Sequence, residues 1–267
     1  MNSKSIILTA ALCITASISS CSVKEDRSAC PCILDIWPGN AYGRTDELLL
    51  SGWNGNGTLV YRTECLEDDM DPFWETPVSR SIITCSAVGL EGTDEDLRLT
   101  GHEVNVPDGE DFQPVWAHVS RDVDCTGETA EDQVNLHKQH AWLHMRTNRS
   151  EWTDERIAVR VIGTVSGMDL LDLSPVDGPF SCDARVDGDG NYLVCLPRQK
   201  DTSLALEVFL GGSLFAVIPL GEIIEQTGYD WASTDLEDIW LELSLAERLV
   251  IEVMTNGWTP SEYTFVI

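Results

Sequence analysis

Short apolar segments with period-two alternation recur along the chain, separated by Gly, Asp, Asn and Pro. In "CPCILDIWP" (30–38), alternate residues from Cys30 to Ile36 share one face, whereas Asp35 and Trp37 share the other. One segment, "PLGEIIEQTGYDW" (219–231), has helical spacing and predicts a short helix. The pattern as a whole predicts an all-β protein.

The predicted strands form two groups on either side of a polar joint, "NRSEWTDE" (148–155). Five lie before the joint, at 30–38, 57–63, 79–89, 112–120 and 133–147, and seven lie after it, at 156–163, 191–197, 203–210, 213–220, 238–245, 248–258 and 262–267. This count favours two small β-sandwiches over one barrel. We therefore predict an N-terminal sandwich over 30–150 and a C-terminal sandwich over 151–267.

The first residues predict export and lipidation. Lys4 followed by a short apolar run is typical of a signal peptide (1–20), and Ile18-Ser19-Ser20-Cys21 has the order of a bacterial lipobox. Cys21 would then carry lipid, and 21–29 would form a lipidated tether, held by acyl chains at about 0.8 kcal/mol per buried CH2. The alternative is an ordinary secreted protein in which Cys21 has no special role.

The tether contains Lys24-Glu25-Asp26, which resembles the signal that sends Bacteroidota lipoproteins to the outside of the outer membrane. The same residues also suit a solvated linker. The chain carries 17 Lys and Arg against 45 Asp and Glu, a net charge of -28. Nucleic acid and anionic lipid head groups are therefore not expected as direct partners.

Seven cysteines remain once Cys13 in the signal and Cys21 on lipid are set aside. In "CDARVDGDGNYLVC" (182–195), a turn with Gly188-Asp189 at its tip places Cys182 opposite Cys195, which allows a disulfide between them. A turn with Asp189-Gly190 at the tip would separate the two. Cys30 or Cys32 could pair with Cys65, Cys85 or Cys125, and the sequence leaves that choice open.

Three histidines, His137, His140 and His144, have a spacing that could hold zinc on one face of a helix. The surrounding pattern favours a strand, on which His137 faces away from the other two, so we predict no metal site. "DGDGN" (187–191) has calcium-loop spacing but lacks the required Gly and Glu, which favours a turn. No serine elbow, P-loop or dinucleotide fingerprint is present in the sequence, and we expect neither catalysis nor a cofactor.

Several segments in a fixed order resemble the FimB-like fimbrial anchor family of Bacteroidota. They are the lipobox followed by "CPCILDI" (30–36), "VNVPDGEDFQPVWAHV" (104–119), "QVNLHKQHAWLHM" (133–145), "RIAVRVIGTVSGMD" (156–169) and "ERLVIEVMTNGWTPSEY" (247–263). Each segment is loosely defined alone, and the specific part of the resemblance is their order over nearly the whole mature chain.

The resemblance implies two tandem transthyretin-like β-sandwich domains on a lipid anchor in the outer membrane. It further implies a non-catalytic role at the base of a type V fimbria, with stalk or accessory subunits as partners that join by strand insertion. An alternative is a surface lipoprotein that binds glycan through exposed tryptophans such as Trp53, Trp74 or Trp152.

Overall fold

In the part of the chain that the structure describes, the regular structure consists of strands and one short helix, which confirms the all-β prediction. The structure is a computed structural model that describes residues 30–66, 72–91, 97–107, 109–147, 157–245, 249–255 and 258–265. The chain from Cys32 onward packs as one unit. Within the described ranges no helix is long and apolar enough to cross a membrane.

The strands and the helix are numbered in their order along the chain. The strands before residue 150 are β1 (Cys32–Trp37), β2 (Glu47–Asn54), β3 (Leu59–Leu66), β4 (Trp74–Val78), β5 (Ile82–Leu90), β6 (Leu99–Thr100), β7 (Glu103–Asn105), β8 (Val115–Asp124), β9 (Thr129–Gln133), β10 (His137–Lys138) and β11 (His140–Thr147). The later elements are β12 (Ile157–Asp169), β13 (Pro175–Asp183), β14 (Arg185–Val186), β15 (Tyr192–Pro197), β16 (Ala205–Leu210), β17 (Ser213–Ile218), α1 (Leu220–Gln226), β18 (Ile239–Leu245), β19 (Leu249–Thr255) and β20 (Trp258–Phe265).

These strands form four sheets. The first has the order β4-β1-β9 and the second β10-β8-β5-β2-β3. The third has the order β14-β15-β11-β18-β19-β20 and the fourth β17-β16-β12-β7-β6, with β13 also paired to β12. Most pairs are antiparallel, but β1 with β9 and β11 with β18 are parallel and therefore need long crossover connections.

The sheets enclose two apolar clusters, as expected for sandwiches. The smaller cluster lies between the first and second sheets and includes Leu34, Ile36 and Leu50, each no more than 1% exposed. The larger cluster is built mainly from the third and fourth sheets and includes Leu143 and Leu196. Burial of a Leu or Ile side chain stabilises the fold by roughly 1.5–3 kcal/mol, so both clusters contribute substantially.

Strand pairing crosses the predicted boundary between residues 150 and 151. Strand β7 pairs with β12, and β11 pairs with β15 and β18, so both belong to sheets whose other strands mostly follow residue 150. Close packing supports the first of these contacts, because a Cβ at Gly167 would overlap the carbonyl oxygen of Val104. Segments 99–105 and 140–147 therefore pack with the second group of strands rather than the first.

Each predicted strand segment contains or overlaps a strand of the structure, and α1 falls within the predicted helix 219–231. On β1 the predicted alternation is confirmed, since Cys32, Leu34 and Ile36 are buried while Trp37 is exposed. Five strands were not predicted. One is β6, and the four longer ones are β2, β4, β7 and β13, of which β2 is an interior strand of the second sheet.

Candidate functional site

Strand β17 forms one end of the fourth sheet and carries three exposed apolar side chains. Leu214, Phe215 and Val217 are 52%, 37% and 54% exposed. In the described part of the chain β17 pairs only with β16, so its outer side offers backbone N–H and C=O groups to a further strand. We refer to residues Ser213–Ile218 as the β17 edge.

A two-residue turn presents the β17 edge. Gly211 and Gly212 connect β16 to β17 with φ angles of +55° and +86°, and Leu210 faces Ser213 across the turn. Two positive φ angles in succession are characteristic of the type I′ turn, whose twist matches that of antiparallel strands and which suits glycine. The register then shifts by one residue near Phe215, which is a β-bulge.

The other long edge strands of the described sheets differ from β17 in composition. Each contains charged residues, proline or both: Arg62 and Glu64 on β3, Glu75 and Pro77 on β4, Glu131 and Asp132 on β9, Asp177 and Pro179 on β13, and Pro260 and Glu262 on β20. Charge and proline on an edge oppose pairing with another strand. Among described edge strands of five residues or more, β17 alone has neither, although the whole chain carries a charge of -28.

Charges on the neighbouring strands are paired within the fourth sheet. Arg160 on β12 lies 2.7 Å from Asp183 on β13 and 3.9 Å from Glu207 on β16. Its guanidinium also lies 5.4 Å from the centre of the Phe209 ring. One arginine thus contacts two carboxylates beside the β17 edge, so the charged side chains next to this edge are held by contacts within the sheet.

The predicted lipid site, Cys21, lies outside the described residues. The hairpin register that suggested a Cys182–Cys195 bridge is wrong, because Arg185 pairs with Leu193. Cys182 instead lies on β13, opposite Val161, and Cys195 lies on β15 in another sheet. The bridge is not formed in the structure, and its occurrence stays a prediction.

Asp111 occupies the space that the two cysteines share. Its Oδ1 accepts a hydrogen bond from the Cys182 thiol at 3.0 Å and another from the Cys195 backbone N–H at 3.1 Å. Its Oδ2 lies 3.3 Å from Arg185 Nε. Burial raises the pKa of the Cys182 thiol, and the hydrogen bond to Asp111 raises it further. The arrangement keeps Cys182 protonated rather than nucleophilic.

The three histidines make separate contacts. His137 Nδ1 lies 3.1 Å from Asp235 Oδ2, His140 Nδ1 lies 3.1 Å from the Val115 carbonyl oxygen, and His144 stacks on Trp240 with ring centres 4.0 Å apart. Burial lowers the pKa of His140 to about 4 and lowers that of His144. Within the described ranges, no three His, Cys, Asp or Glu side chains form a group that could hold a metal.

The calcium-like segment forms a turn, as predicted. Asp187 Oδ1 accepts hydrogen bonds from the backbone N–H groups of Asp189 and Asn191, at 2.9 Å and 2.8 Å. Hydrogen bonding to Asn191 lowers the pKa of the Asp187 carboxyl, and burial is negligible there. The carboxylate thus stabilises its own loop.

The tryptophans named for glycan binding do not form an exposed group in the described structure. The expected exposure of Trp53 is wrong, since the side chain is 2% exposed and packs in the larger cluster. Trp74 is half-buried beside Tyr61, and Trp152 lies outside the described residues. Trp240, at 40%, is an exposed tryptophan that the sequence pattern did not single out.

No family model matches the chain, and no curated protein matches it. Several solved structures match the chain. The fimbrial anchor protein Mfa2 from Porphyromonas gingivalis superposes with a TM-score of 0.62 at 11% identity, over 87% of this chain and 99% of that one. A candidate adhesin from Bacteroides ovatus gives 0.59 at 10% identity, over 88% and 95%.

A candidate polysaccharide-binding protein from Bacteroides thetaiotaomicron has the same fold, with a TM-score of 0.57 at 13% identity over 88% of this chain and 98% of that one. The expected resemblance is thus confirmed at the level of the fold. The chain has the β-sandwich fold of fimbrial anchor and adhesin proteins, over almost their whole length.

Proposed function

We propose that this protein is a lipid-anchored subunit of the outer membrane that holds a fimbria on the cell. Its Cys21 carries the lipid, and its folded part binds a stalk or accessory subunit by accepting an extended strand at the β17 edge. No chemical reaction is involved in this role. Affinity comes from main-chain hydrogen bonds, and specificity comes from alternate side chains packing on Leu214 and Val217.

The β17 edge is the observation that carries this proposal. Three exposed apolar side chains within four residues lie on a strand whose outer side no other described strand occupies. The similarity in fold to a fimbrial anchor protein supports an extended strand of another fimbrial subunit as the occupant. Unpaired backbone groups beside exposed apolar side chains are what strand addition requires.

Photocrosslinking in cells that express the fimbria tests the partner. A photoreactive phenylalanine derivative replaces Leu214 or Val217, and Val186 on β14 serves as the control because it is also apolar and 57% exposed. We expect crosslinks to a fimbrial subunit from 214 and 217 but not from 186. Crosslinks only to a second copy of this chain, or equal labelling from 186, would contradict the proposal.

The anchor is tested separately. We expect Cys21→Ser to abolish labelling with a palmitate analogue and to release the protein from the membrane fraction, because the thiol is the atom that takes the lipid. Cys30→Ser is the control, since Cys30 lies nine residues after Cys21. This variant retains Cys21 and should keep the label. A Cys21→Ser protein that remains labelled would overturn the anchor.

Glycan binding is a second candidate, supported by one exposed aromatic pair. Trp240 is 40% exposed and stacks on His144 with an interplanar angle of 8°, which gives a flat apolar surface. A glycan array probed with the soluble domain tests it. Binding that Trp240→Ala removes would favour this candidate, and no binding by the unaltered protein would exclude it.

A further inference from the structure

The smaller apolar cluster contains an unusual number of cysteines. Cys32, Cys65, Cys85 and Cys125 all belong to it, and each is no more than 2% exposed. Cysteine commonly behaves as a small buried apolar residue, but several thiols in one core bring sulfurs close together. The contacts of these thiols decide which of them can be joined.

The backbone holds Cys32 and Cys125 on adjoining segments of the first sheet. Ile33, which follows Cys32, donates its N–H to the Glu128 carbonyl oxygen at 2.9 Å, and β1 then runs parallel to β9. Cys125 lies just before β9 and donates its own N–H to the Ser81 carbonyl oxygen at 3.0 Å. Both cysteines are thus fixed at the same end of the β1–β9 pair.

The side chains of these two residues meet. Both residues are 0% exposed and belong to the smaller cluster, and the two thiols lie close enough to affect one another electrostatically. Burial, together with the proximity of Cys32, raises the pKa of Cys125 to about 12. A third thiol, Cys85, lies on β5 of the second sheet, on the other side of the cluster from β1.

We propose that Cys32 and Cys125 form a disulfide in the exported protein. The two thiols lose two protons and two electrons, one S–S bond forms, and the electrons reduce the disulfide of a thiol oxidoreductase in the exporting compartment. One thiolate first attacks the donor disulfide, and the second thiolate then displaces the reduced donor. Because both sulfurs are buried after folding, the exchange takes place before β1 packs onto β9.

The choice of compartment rests on the proposed function, since disulfides persist in exported proteins. The reaction between the two cysteines does not rest on it, because purified protein can be unfolded, reduced and then refolded in vitro with glutathione disulfide. The bridge would fasten β1, which begins shortly after the predicted tether, to the first residue of the β8–β9 connection. It would thereby secure the part of the domain nearest the lipid against unfolding.

Peptide mapping under non-reducing conditions tests the proposal on the unaltered protein. Trypsin separates residues 28–44, 81–98 and 122–138, which carry Cys32, Cys85 and Cys125 respectively. We expect 28–44 linked to 122–138, with fragmentation at Pro31 placing the link on Cys32 rather than Cys30. The linked peptides weigh about 2 Da less than their separate masses. A link from 122–138 to 81–98, a link through Cys30, or full alkylation of both thiols would overturn it.

Thermal unfolding gives a second measurement. A bridge that closes so long a loop should raise the Tm by about 10 °C, so a reductant should lower the Tm of the unaltered protein by that amount. The Cys32→Ala/Cys125→Ala variant should show no reductant effect, whereas Cys85→Ala should keep it. A reductant effect that survives in the double variant contradicts the assignment. Failure of crosslinking at the β17 edge would leave both of these results unchanged.

Discussion

The strands β4 and β17 are both edges of sandwiches, yet they present opposite surfaces. On β4 the exposed positions are Glu75 and Pro77, and on β17 they are occupied by apolar side chains. A charge or a proline on an edge strand is a common protection against pairing with foreign strands. The contrast indicates that β4 is closed to further strands and that β17 is available for one.

The same contrast extends to the two regions that contain these edges. The long edges of the first two sheets, β3, β4 and β9, all carry charge, and their core contains the buried thiols of Cys32 and Cys125. The fourth sheet exposes β17 after a two-glycine turn. Under the proposed function, the first region stays closed to further strands beside the predicted tether, and the other region binds the partner.

The largest expected effect follows from placing charge on the β17 edge. Leu214→Lys/Val217→Lys should weaken capture of a fimbrial subunit at least about tenfold, because each ammonium would lose water without gaining a partner. The free energy of unfolding should change by no more than about 0.5 kcal/mol, since both side chains are exposed. Surface plasmon resonance and urea unfolding measure the two quantities.

The matched control for that variant is Leu59→Lys on β3, where the leucine is 45% exposed on an edge that already carries charge. It should bind normally. Equal losses for Leu59→Lys and for the β17 variant would remove the distinction between the edges.

The free energy of unfolding should change with pH by a few kcal/mol because of one histidine at the contact between β8 and β11. His140 on β11 contacts the Val115 carbonyl oxygen of β8, and burial lowers its pKa to about 4. Because the unfolded value is about 6.5, the unfolded chain binds more protons between these values, so stability is full above pH 6.5 and falls as pH drops towards 4. The loss should reach about 3 kcal/mol.

Urea unfolding of the unaltered protein and His140→Gln at pH 7 and pH 4 measures this effect. The free energy of unfolding should differ between pH 7 and pH 4 by about 3 kcal/mol less in His140→Gln than in the unaltered protein. Glu91 Oε2 lies 3.3 Å from His140 Nε2, and the charges of Lys138 and Asp238 also act on the imidazole ring. Glu91→Gln is the control, because it removes a neighbouring charge and leaves the imidazole in place. An identical pH dependence in the unaltered protein and His140→Gln would refute this role.

Removing the charge and the proline from the β4 edge should make two copies of the protein associate. In the Leu214→Lys/Val217→Lys background, Glu75→Val/Pro77→Val would make β4 uncharged and apolar on its exposed positions. We expect a concentration-dependent dimer in sedimentation velocity, because the pairing that charge and proline opposed becomes favourable. A monomer at every concentration would show that composition alone does not close the β4 edge.

The smallest effect concerns Asp132 on the β9 edge. Burial opposes ionisation, but hydrogen bonds from His118 and Ser120 outweigh it, so the pKa of Asp132 is lowered. The contribution of Asp132 to the free energy of unfolding is present above the unfolded pKa of about 3.9. It is lost as the pH falls through the lower pKa of Asp132 in the folded protein. Asp132→Asn should cost about 1 kcal/mol at pH 7, and urea unfolding should find no cost at pH 2.

Local alternation was sufficient to predict most strands, because period two reports which face is buried. It fails where a strand is buried on both faces or is short, as β2 and β7 show. It also carries no information on parallel pairing, so the β1–β9 and β11–β18 contacts could not be predicted. The hairpin predicted at 182–195 forms only as the short β14–β15 pair and in another register, because Cys182 lies on β13, which pairs with β12.

The candidate site could be found only in part. "SLFAVI" (213–218) was predicted as a strand, but a run of six uncharged residues usually indicates a strand inside a sheet. Its position at an edge depends on the pairing order of the whole sheet. A usable signal was present nonetheless, since such a run without charge or proline is typical of association-prone strands.

Hydrogen–deuterium exchange of the purified protein, with and without the purified stalk subunit, tests strand addition at β17 most directly, because an added strand must hydrogen-bond the backbone. The account predicts slower exchange at residues 213–218 on binding, with exchange at β4 (74–78) and β9 (129–133) unchanged. Unchanged exchange at 213–218 in a complex that demonstrably forms, or protection at β4 or β9 instead, would contradict it.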